Sequence, residues 1–415
     1  MDESVSARRP RIVLLGSWQT VNIGDVAHTP GCLTAFKTFA PDAEITLLPR
    51  ELDDREQQML AELFPEVRVL TPLVWTGDTV LPEEIRTAFE EADLLVHGSG
   101  PSVVVPELVR AWRELSDKPY GFFGITVDPF PAQPATLAEG RIMINSEVGD
   151  LVGTDRDLLD GAAFVYCRDS LTRDLLRNQG ITSAVIEFGP DASPSFAPQQ
   201  RRASEDVLAT VSDAGPLLCI VPRLRYTPYH EFRDVEVELF HRRRDAYNAA
   251  HAEADLAPLK AAADWWLANT DGTVMVVPEM IYQVEFAQQH FTGGDRLHVL
   301  DRFWSLPEAS AVYRQATAVV SSECHSPLIA MAVGTPAMYL RQPTDTVKGH
   351  MYRDLGVDDW LFEVVDPATT VGVQTQLAAI AADPAGARRT SEQARERALA
   401  RLGEMVATAL SHVPG

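Results

Sequence analysis

Five charged side chains stand just after short apolar runs, where parallel strands end. His325 follows "TAVVSSEC" and precedes "SPLIAMAVG". That puts it at a strand's carboxyl end and beside a helix N-terminus, with Ser326-Pro327 as cap and first helical position. An imidazole there can move a proton or contact a phosphate; the plainer alternative is a histidine that satisfies local backbone groups. Asp25 sits in "VNIGDVAHTPG", after the run "RIVLLG". It could act as a base toward a hydroxyl, orient that hydroxyl, or simply shape an Asx-type turn. In the plainest reading, Asn22 to Asp25 is a turn and Thr29-Pro30 starts a helix. Asn22 and Gly24 would let a ligand approach the backbone closely. His28 is a neighbour in the same loop, and Asp25 with His28 alone does not make a metal site. Arg223 and Arg225 end the run "LLCIVP". As alternate strand residues they share a face, and a guanidinium suits bidentate carboxylate or phosphate binding. Arg168, before Asp169, either binds ligand or pairs with its neighbour. Lys348 either closes over a ligand or is a solvated loop lysine.

The elements that must position these groups read as an alternation. Apolar runs at 11–16, 44–49, 67–70, 93–98, 120–127, 163–167 and 184–189 are separated by amphipathic stretches such as "EIRTAFEEA". This is the signature of a parallel, doubly wound sheet. A Pro/Ser-rich passage follows, and a second series begins: 217–222, 273–278, 296–300, 317–322 and 336–341. The pattern predicts an α/β protein of two Rossmann-like domains, residues 1–195 and 216–385. A linker at 196–215 joins them, and a C-terminal helix at 386–415 packs back on the first domain. Both sheets would turn their carboxyl ends toward an interdomain cleft, the GT-B arrangement. The segment 225–247, aromatic and charged, reads as a lid or acceptor-binding loop. Arg242 to Arg244 read as a solvated helix face, and Trp265-Trp266 as a pair with at least one ring in the core.

Composition narrows the function. A net charge of −23 excludes a nucleic-acid binder, because phosphate contacts need a basic surface. An anionic substrate would need a local Arg/Lys cluster working against that field. The four cysteines are isolated, with no CxxC spacing, so neither a zinc site nor a disulfide framework is indicated. They read as reduced, mostly buried thiols. No apolar run approaches the roughly 20 residues that cross a bilayer, and the polar N-terminus leads straight into a strand. A cytoplasmic protein is expected, with no metal and no cofactor. The sequence allows a homo-oligomer and does not fix it.

Several of these segments together resemble the polysaccharide pyruvyl transferase family. "NIGD" (22–25) is similar to its Asn-x-Gly-Asp signature, and "DLLVHGSGP" (93–101) to its second glycine-rich strand end. "VYCRDSLTRDLLRNQGI" (165–181) resembles its Arg-Asp-x-x-Ser segment, and "GPDASPSF" (189–196) its Asp-containing segment. "VPRLR" (221–225) sits where the family places an Arg. "SSECHSPLIAMAVGTPAMYLR" (321–341) and "KGHMYRDLGV" (348–357) resemble its C-terminal segments. The resemblance implies transfer of a pyruvyl group from phosphoenolpyruvate to two hydroxyls of a sugar, giving a ketal and releasing phosphate. On that reading the first domain serves the acceptor and the second the donor. His325 and Asp25 are catalytic; Asn22, Gly24, Ser99, Arg168, Arg223, Arg225, Glu323 and Lys348 bind substrate.

One departure stands out. The family's Arg two residues before the His is Glu323 here. A carboxylate there would repel a trianionic donor, unless it pairs with an arginine such as Arg223, Arg225 or Arg341. Glu323 keeps a rival open, a GT-B glycosyltransferase that holds a nucleotide sugar's ribose on a carboxylate. A catalytically silent, sugar-binding family member is the third reading.

Overall fold

The computed structural model describes residues 8–128, 130, 133–146, 153–199, 205–209 and 215–413. Much of the expected linker, 200–204 and 210–214, lies outside them.

Apolar, β-branched segments form two parallel sheets. The first holds β1 (Arg11–Gly16), β2 (Glu44–Pro49), β3 (Arg68–Val69), β4 (Leu94–His97), β5 (Tyr120–Ile125), β6 (Phe164–Cys167) and β7 (Ile186–Phe188). Their order is β3-β2-β1-β4-β5-β6-β7. The second holds β8 (Leu217–Val221), β9 (Thr273–Val276), β10 (Leu297–Val299), β11 (Ala318–Ser321), β12 (Ala337–Arg341) and β13 (Leu361–Glu363), ordered β10-β9-β8-β11-β12-β13. The apolar runs predicted as strands all form strands; the three-residue edge strand β13 is an addition. β1, β4, β8 and β11 are buried along almost their whole length, as strands covered by helices on both faces must be. Chain order reverses between β1 and β4 and again between β8 and β11. Such switch points open a crevice at the strands' carboxyl ends.

The two crevices face each other and touch. Ile23 N–H donates to the Glu279 carbonyl (2.9 Å) and Ile281 N–H to the Val21 carbonyl (3.0 Å). These bonds make an isolated antiparallel bridge at Asn22 and Met280. The C-terminal helix, Pro384–Ser411, spans both domains. Its start buries Ala394 and Ala398 among second-domain residues, and its end buries Leu402, Met405 and Val406 beside Ile12, Phe36 and Phe123. Arg401 Nε donates to the Phe188 carbonyl at 2.6 Å, and Tyr166 Oη to Thr408 at 2.8 Å. All four cysteines are free and buried. Trp266 lies in the core, and Arg242 to Arg244 are exposed.

The Thr29-Pro30 helix start is corrected. The helix runs Ile23–Phe39 with Pro30 inside it. Asn22 starts it, its side chain accepting from Gly24 N–H (2.7 Å) and Asp25 N–H (3.3 Å). That cap satisfies donors the first turn would leave orphaned. Thr29 is instead a latch, its Oγ1 accepting from Ser17 N–H at 2.6 Å. Ser17 has φ +50°, a left-handed conformation that costs a side-chain-bearing residue roughly 1–2 kcal/mol, and the latch helps hold it.

Candidate functional site

Four charged groups of the site stand one to four residues beyond a strand end, and two more stand in the first two turns of the helix after β1. Asp25 and His28 belong to the helix after β1, Arg168 follows β6, Asp191 follows β7, Glu279 follows β9, and His325 follows β11. The first two turns of that helix bring Gly24, Asp25 and His28 to the cleft. Gly24 is the point of closest approach. A Cβ there would stand 2.5 Å from the His325 Cβ and 2.6 Å from Glu279 Oε1, so only glycine lets the domains meet in this way.

His28 is the hub. It is 1% exposed. Its Nδ1 lies 3.0 Å from Asp191 Oδ2, and its Nε2 lies 3.5 Å from Asp25 Oδ1. Burial alone would lower its pKa, but the two carboxylates outweigh burial and push it up to about 9. His28 is therefore an imidazolium at neutral pH. Burial would likewise raise the pKa of Asp25. His28, 3.5 Å away, together with His325 and Lys348, overrides that and holds the carboxyl well below the usual range. Gln19 Nε2 also donates to Asp25.

His325 opens the helix His325–Ala332 and is buried. Its ring meets the His28 ring edge-on, with centroids 4.9 Å apart. Nε2 lies 3.6 Å from Asp191 Oδ2 and 3.4 Å from Arg168 Nη1, and Nδ1 lies 3.5 Å from Glu279 Oε1. Glu279 Oε2 accepts from Ser326 N–H at 2.6 Å, anchoring the turn that carries His325. Arg168 is buried too, with Nε donating to Thr126 (2.6 Å) and Nη1 to Asp191 (3.3 Å). Among the described residues its Nη2 has no hydrogen-bond partner, and neither does Glu279 Oε1. Native interiors leave few such atoms, and those that exist need an explanation.

The remaining predicted residues divide. Glu323 is buried, takes a hydrogen bond from Gln283 Nε2 (2.7 Å) and lies 3.5 Å from Arg223 Nε. Burial, only partly offset by Arg223, pushes its carboxyl up to about 8. Arg223 also pairs with Asp345. Lys348, half-buried in the turn Val347–His350, adds its charge to the field at Asp25, Glu323 and Asp345. Two predicted residues are engaged elsewhere. Arg225 forks onto Asp255 (2.7 and 2.8 Å) and reaches Tyr247 (3.0 Å), fixing the long helix Leu239–Asn269. Ser99 accepts from Ala192 N–H (3.1 Å) and donates to the Phe123 carbonyl (2.9 Å), tying the β4 end to the Asp191 loop. Within the 225–247 segment, Arg233 crosses the cleft to Gln19 (3.1 Å) and Glu51 (3.4 Å), and Gln19 in turn holds Asp25.

Glu279 and Asp191 were not predicted as site residues. Each directly follows a strand, the same signal that marks His325. As to metals, Asp25, His28 and His325 present ligand atoms that all lie within 4.8 Å of one another. A divalent ion there would first have to displace the proton that Asp191 and Asp25 hold on His28.

Three comparisons bear on this geometry. The family described as "Polysaccharide pyruvyl transferase" matches residues 22–342. No curated protein matches the sequence. Among solved structures, a protein described as a UDP-N-acetylglucosamine 2-epimerase from Listeria monocytogenes superposes with a TM-score of 0.61 at 12% identity. That match covers 97% of this chain and 96% of the other. UDP-GlcNAc 2-epimerase from Neisseria meningitidis gives 0.57 at 9% identity, covering 97% and 99%. Arabidopsis thaliana UGT89C1, solved with UDP-L-rhamnose, gives 0.55 at 12%, covering 97% and 99%. At such identities the likeness is one of fold, and that fold is GT-B.

Proposed function

Because the chain belongs to the polysaccharide pyruvyl transferase family, we propose that it transfers the pyruvyl group of phosphoenolpyruvate to two hydroxyls of a sugar-containing acceptor. The observation that carries this reading is the buried Arg168 Nη2, a cationic donor without a partner, beside His325. A small anion enclosed there would complete the guanidinium and lie next to a proton donor.

Chemically, the steps balance without an outside reagent. His325 gives its proton to the methylene carbon, C3, leaving an oxocarbenium-like centre at C2. The first acceptor hydroxyl adds to C2, phosphate departs, and the second hydroxyl closes the ketal. Of the two hydroxyl protons, one replaces the proton lost from His325 and the other leaves on phosphate. A carboxylate held as acidic as Asp25 is a weak base. Asp25 therefore acts mainly by aiming the hydroxyl and by opposing the positive charge that develops at C2. The His28 imidazolium keeps Asp25 ionised and in place. Burial favours the neutral form of Glu323, and Gln283 and Arg223 engage it. It therefore neither repels the donor strongly nor offers a free carboxylate to a ribose.

The test is turnover in D2O with phosphoenolpyruvate and a panel of free sugars and sugar nucleotides. Phosphate release together with a ketal methyl carrying one deuterium is the expected result. The reading fails if no acceptor elicits phosphate release, or if His325→Ala leaves an active enzyme's turnover unchanged.

A further inference from the structure

The helix that carries Asp25 has a second face, and that face lines a different space. Positions 23 and 25 are about 200° apart around a helix. While Asp25 looks into the cleft, Ile23 and Val26 look away from it into a cavity of about 280 Å³. Glu56 and Met59, from the helix Asp54–Leu63, form a second wall. Phe303 and Trp304, from the second domain, form the third. The cavity is therefore built by both domains and lies apart from the Asp25–His325 cluster.

Apolar and charged side chains share the wall, and one of the acidic ones asks for a partner. Glu56 is only 7% exposed, and its Oε1 has no hydrogen-bond partner among the described residues. Burial, reinforced by Asp53 and only partly offset by Arg55, pushes this carboxyl up to about 9. It is a neutral acid at pH 7, able to donate as well as accept. A buried carboxyl left unpaired is a standing cost that a ligand oxygen would remove.

We propose that this interdomain cavity binds a neutral, largely apolar molecule bearing one hydroxyl or carbonyl oxygen, with Glu56 engaging that oxygen. Charge disfavours anions: Asp53, Glu62 and Glu308 line the cavity against Arg55. Arg55 itself is paired to Asp53 at 2.8 Å and lies over the Phe303 ring at 5.3 Å. The volume is at the low end, near roughly 300 Å³, of small-molecule sites, and suits a compact apolar group. Two sources share this chemistry: the apolar aglycone of an acceptor glycoside, which rests on the pyruvyl transfer reading, and an independent small molecule. Since both domains supply walls, either occupant would hold them in the register seen here.

The experiment is calorimetric titration of benzyl alcohol, octyl β-D-glucoside and methyl β-D-glucoside into the full chain, with no phosphoenolpyruvate present. It is repeated on Glu56→Leu, which removes the polar partner, and on Met59→Trp, which fills the space. Benzyl alcohol and octyl glucoside should bind the native protein and weaken by roughly tenfold or more in both variants, the loss of about one good hydrogen bond or its equivalent in contact. Glu56→Leu should melt no lower than the native protein, which shows that lost binding is not lost folding. If octyl glucoside binds more tightly than benzyl alcohol and Asp25→Asn abolishes that gain, the occupant is an aglycone. Equal binding of the two identifies a separate small molecule. Absence of binding by both apolar probes, or binding unchanged in both variants, overturns the proposal. Neither result bears on the pyruvyl reading, because no donor is used.

Discussion

Arg168 and Arg223 look alike in the sequence, each an arginine just past a strand, but the folded protein treats them differently. Arg223 donates to Asp345 and has Glu323 3.5 Å from its Nε, which makes no hydrogen bond among the described residues; two acidic groups stand against its one charge. Arg168 is more deeply buried and has no acid to itself, since it shares Asp191 with His28 and His325; it too has one guanidinium nitrogen without a partner among the described residues. An anion site needs a cation whose charge is not already matched. Thus the Arg168 side, next to His325, is the better seat for a donor anion, and Arg223 is better suited to holding Glu323 and Asp345 in place.

That contrast can be broken or sharpened in order of expected effect. The largest belongs to His325. His325→Ala should lower kcat by about 10²–10⁴-fold, the usual contribution of a positioned acid, with little change in phosphoenolpyruvate affinity. Steady-state kinetics separate the two; a loss confined to KM would make His325 a binding residue. Next come the arginines themselves. Arg168→Lys keeps the charge but not the fork, and should weaken phosphoenolpyruvate binding by about 10- to 100-fold, as losing a hydrogen bond to a charged group does. Arg223→Lys should weaken it several-fold less and instead lower the melting temperature. The reverse ranking would move the anion site to Arg223.

A pH measurement tests the hub. The folded pKa of His28, about 9, exceeds its ordinary value of 6.5. The folded protein thus holds this proton more tightly than the unfolded chain. The stability it contributes is complete below about pH 6.5 and is lost as pH rises through about 9. Denaturation at pH 6, 8 and 10 should show that decline, and His28→Gln should flatten it. An unaltered slope in the variant would assign the decline to other groups. The smallest effect concerns Glu323. Its carboxyl is pushed up to about 8, so Glu323→Gln imitates the form present at pH 7. Activity there should change less than about threefold, a free-energy difference under 1 kcal/mol, and the two proteins should diverge above pH 8. A large loss at pH 7 would show that the ionised carboxylate matters.

What the sequence made legible follows from how local each signal is. Strands such as "RIVLLG" and "TAVVSS" are buried on both faces, so their composition alone marks them. The edge strand β13 is three half-buried residues and carries no such mark. Asn22 was visible as a residue that suits close backbone approach, but its role as the helix cap was not, because Thr29-Pro30 imitates a helix start and the Asn22 cap begins the helix earlier. His325 and Asp25 were readable as strand-end residues. That both would line one cleft followed from the expected facing of the two sheets' carboxyl ends; their close packing did not, because it depends on contacts across some 300 positions and on Gly24 lying against His325. The Arg225–Asp255 pair is of the same kind: a partner inside a later helix leaves no trace beside the arginine. Glu279 and Asp191 carried the strand-end signal and needed only to be weighed with the others.

The central claim is that this cleft holds phosphoenolpyruvate rather than a nucleotide sugar. Its most direct test is calorimetric titration of the native protein with phosphoenolpyruvate and, separately, with UDP-GlcNAc. The account predicts that phosphoenolpyruvate binds and UDP-GlcNAc does not. Binding of UDP-GlcNAc with no response to phosphoenolpyruvate would contradict it and return the cleft to the glycosyltransferase reading.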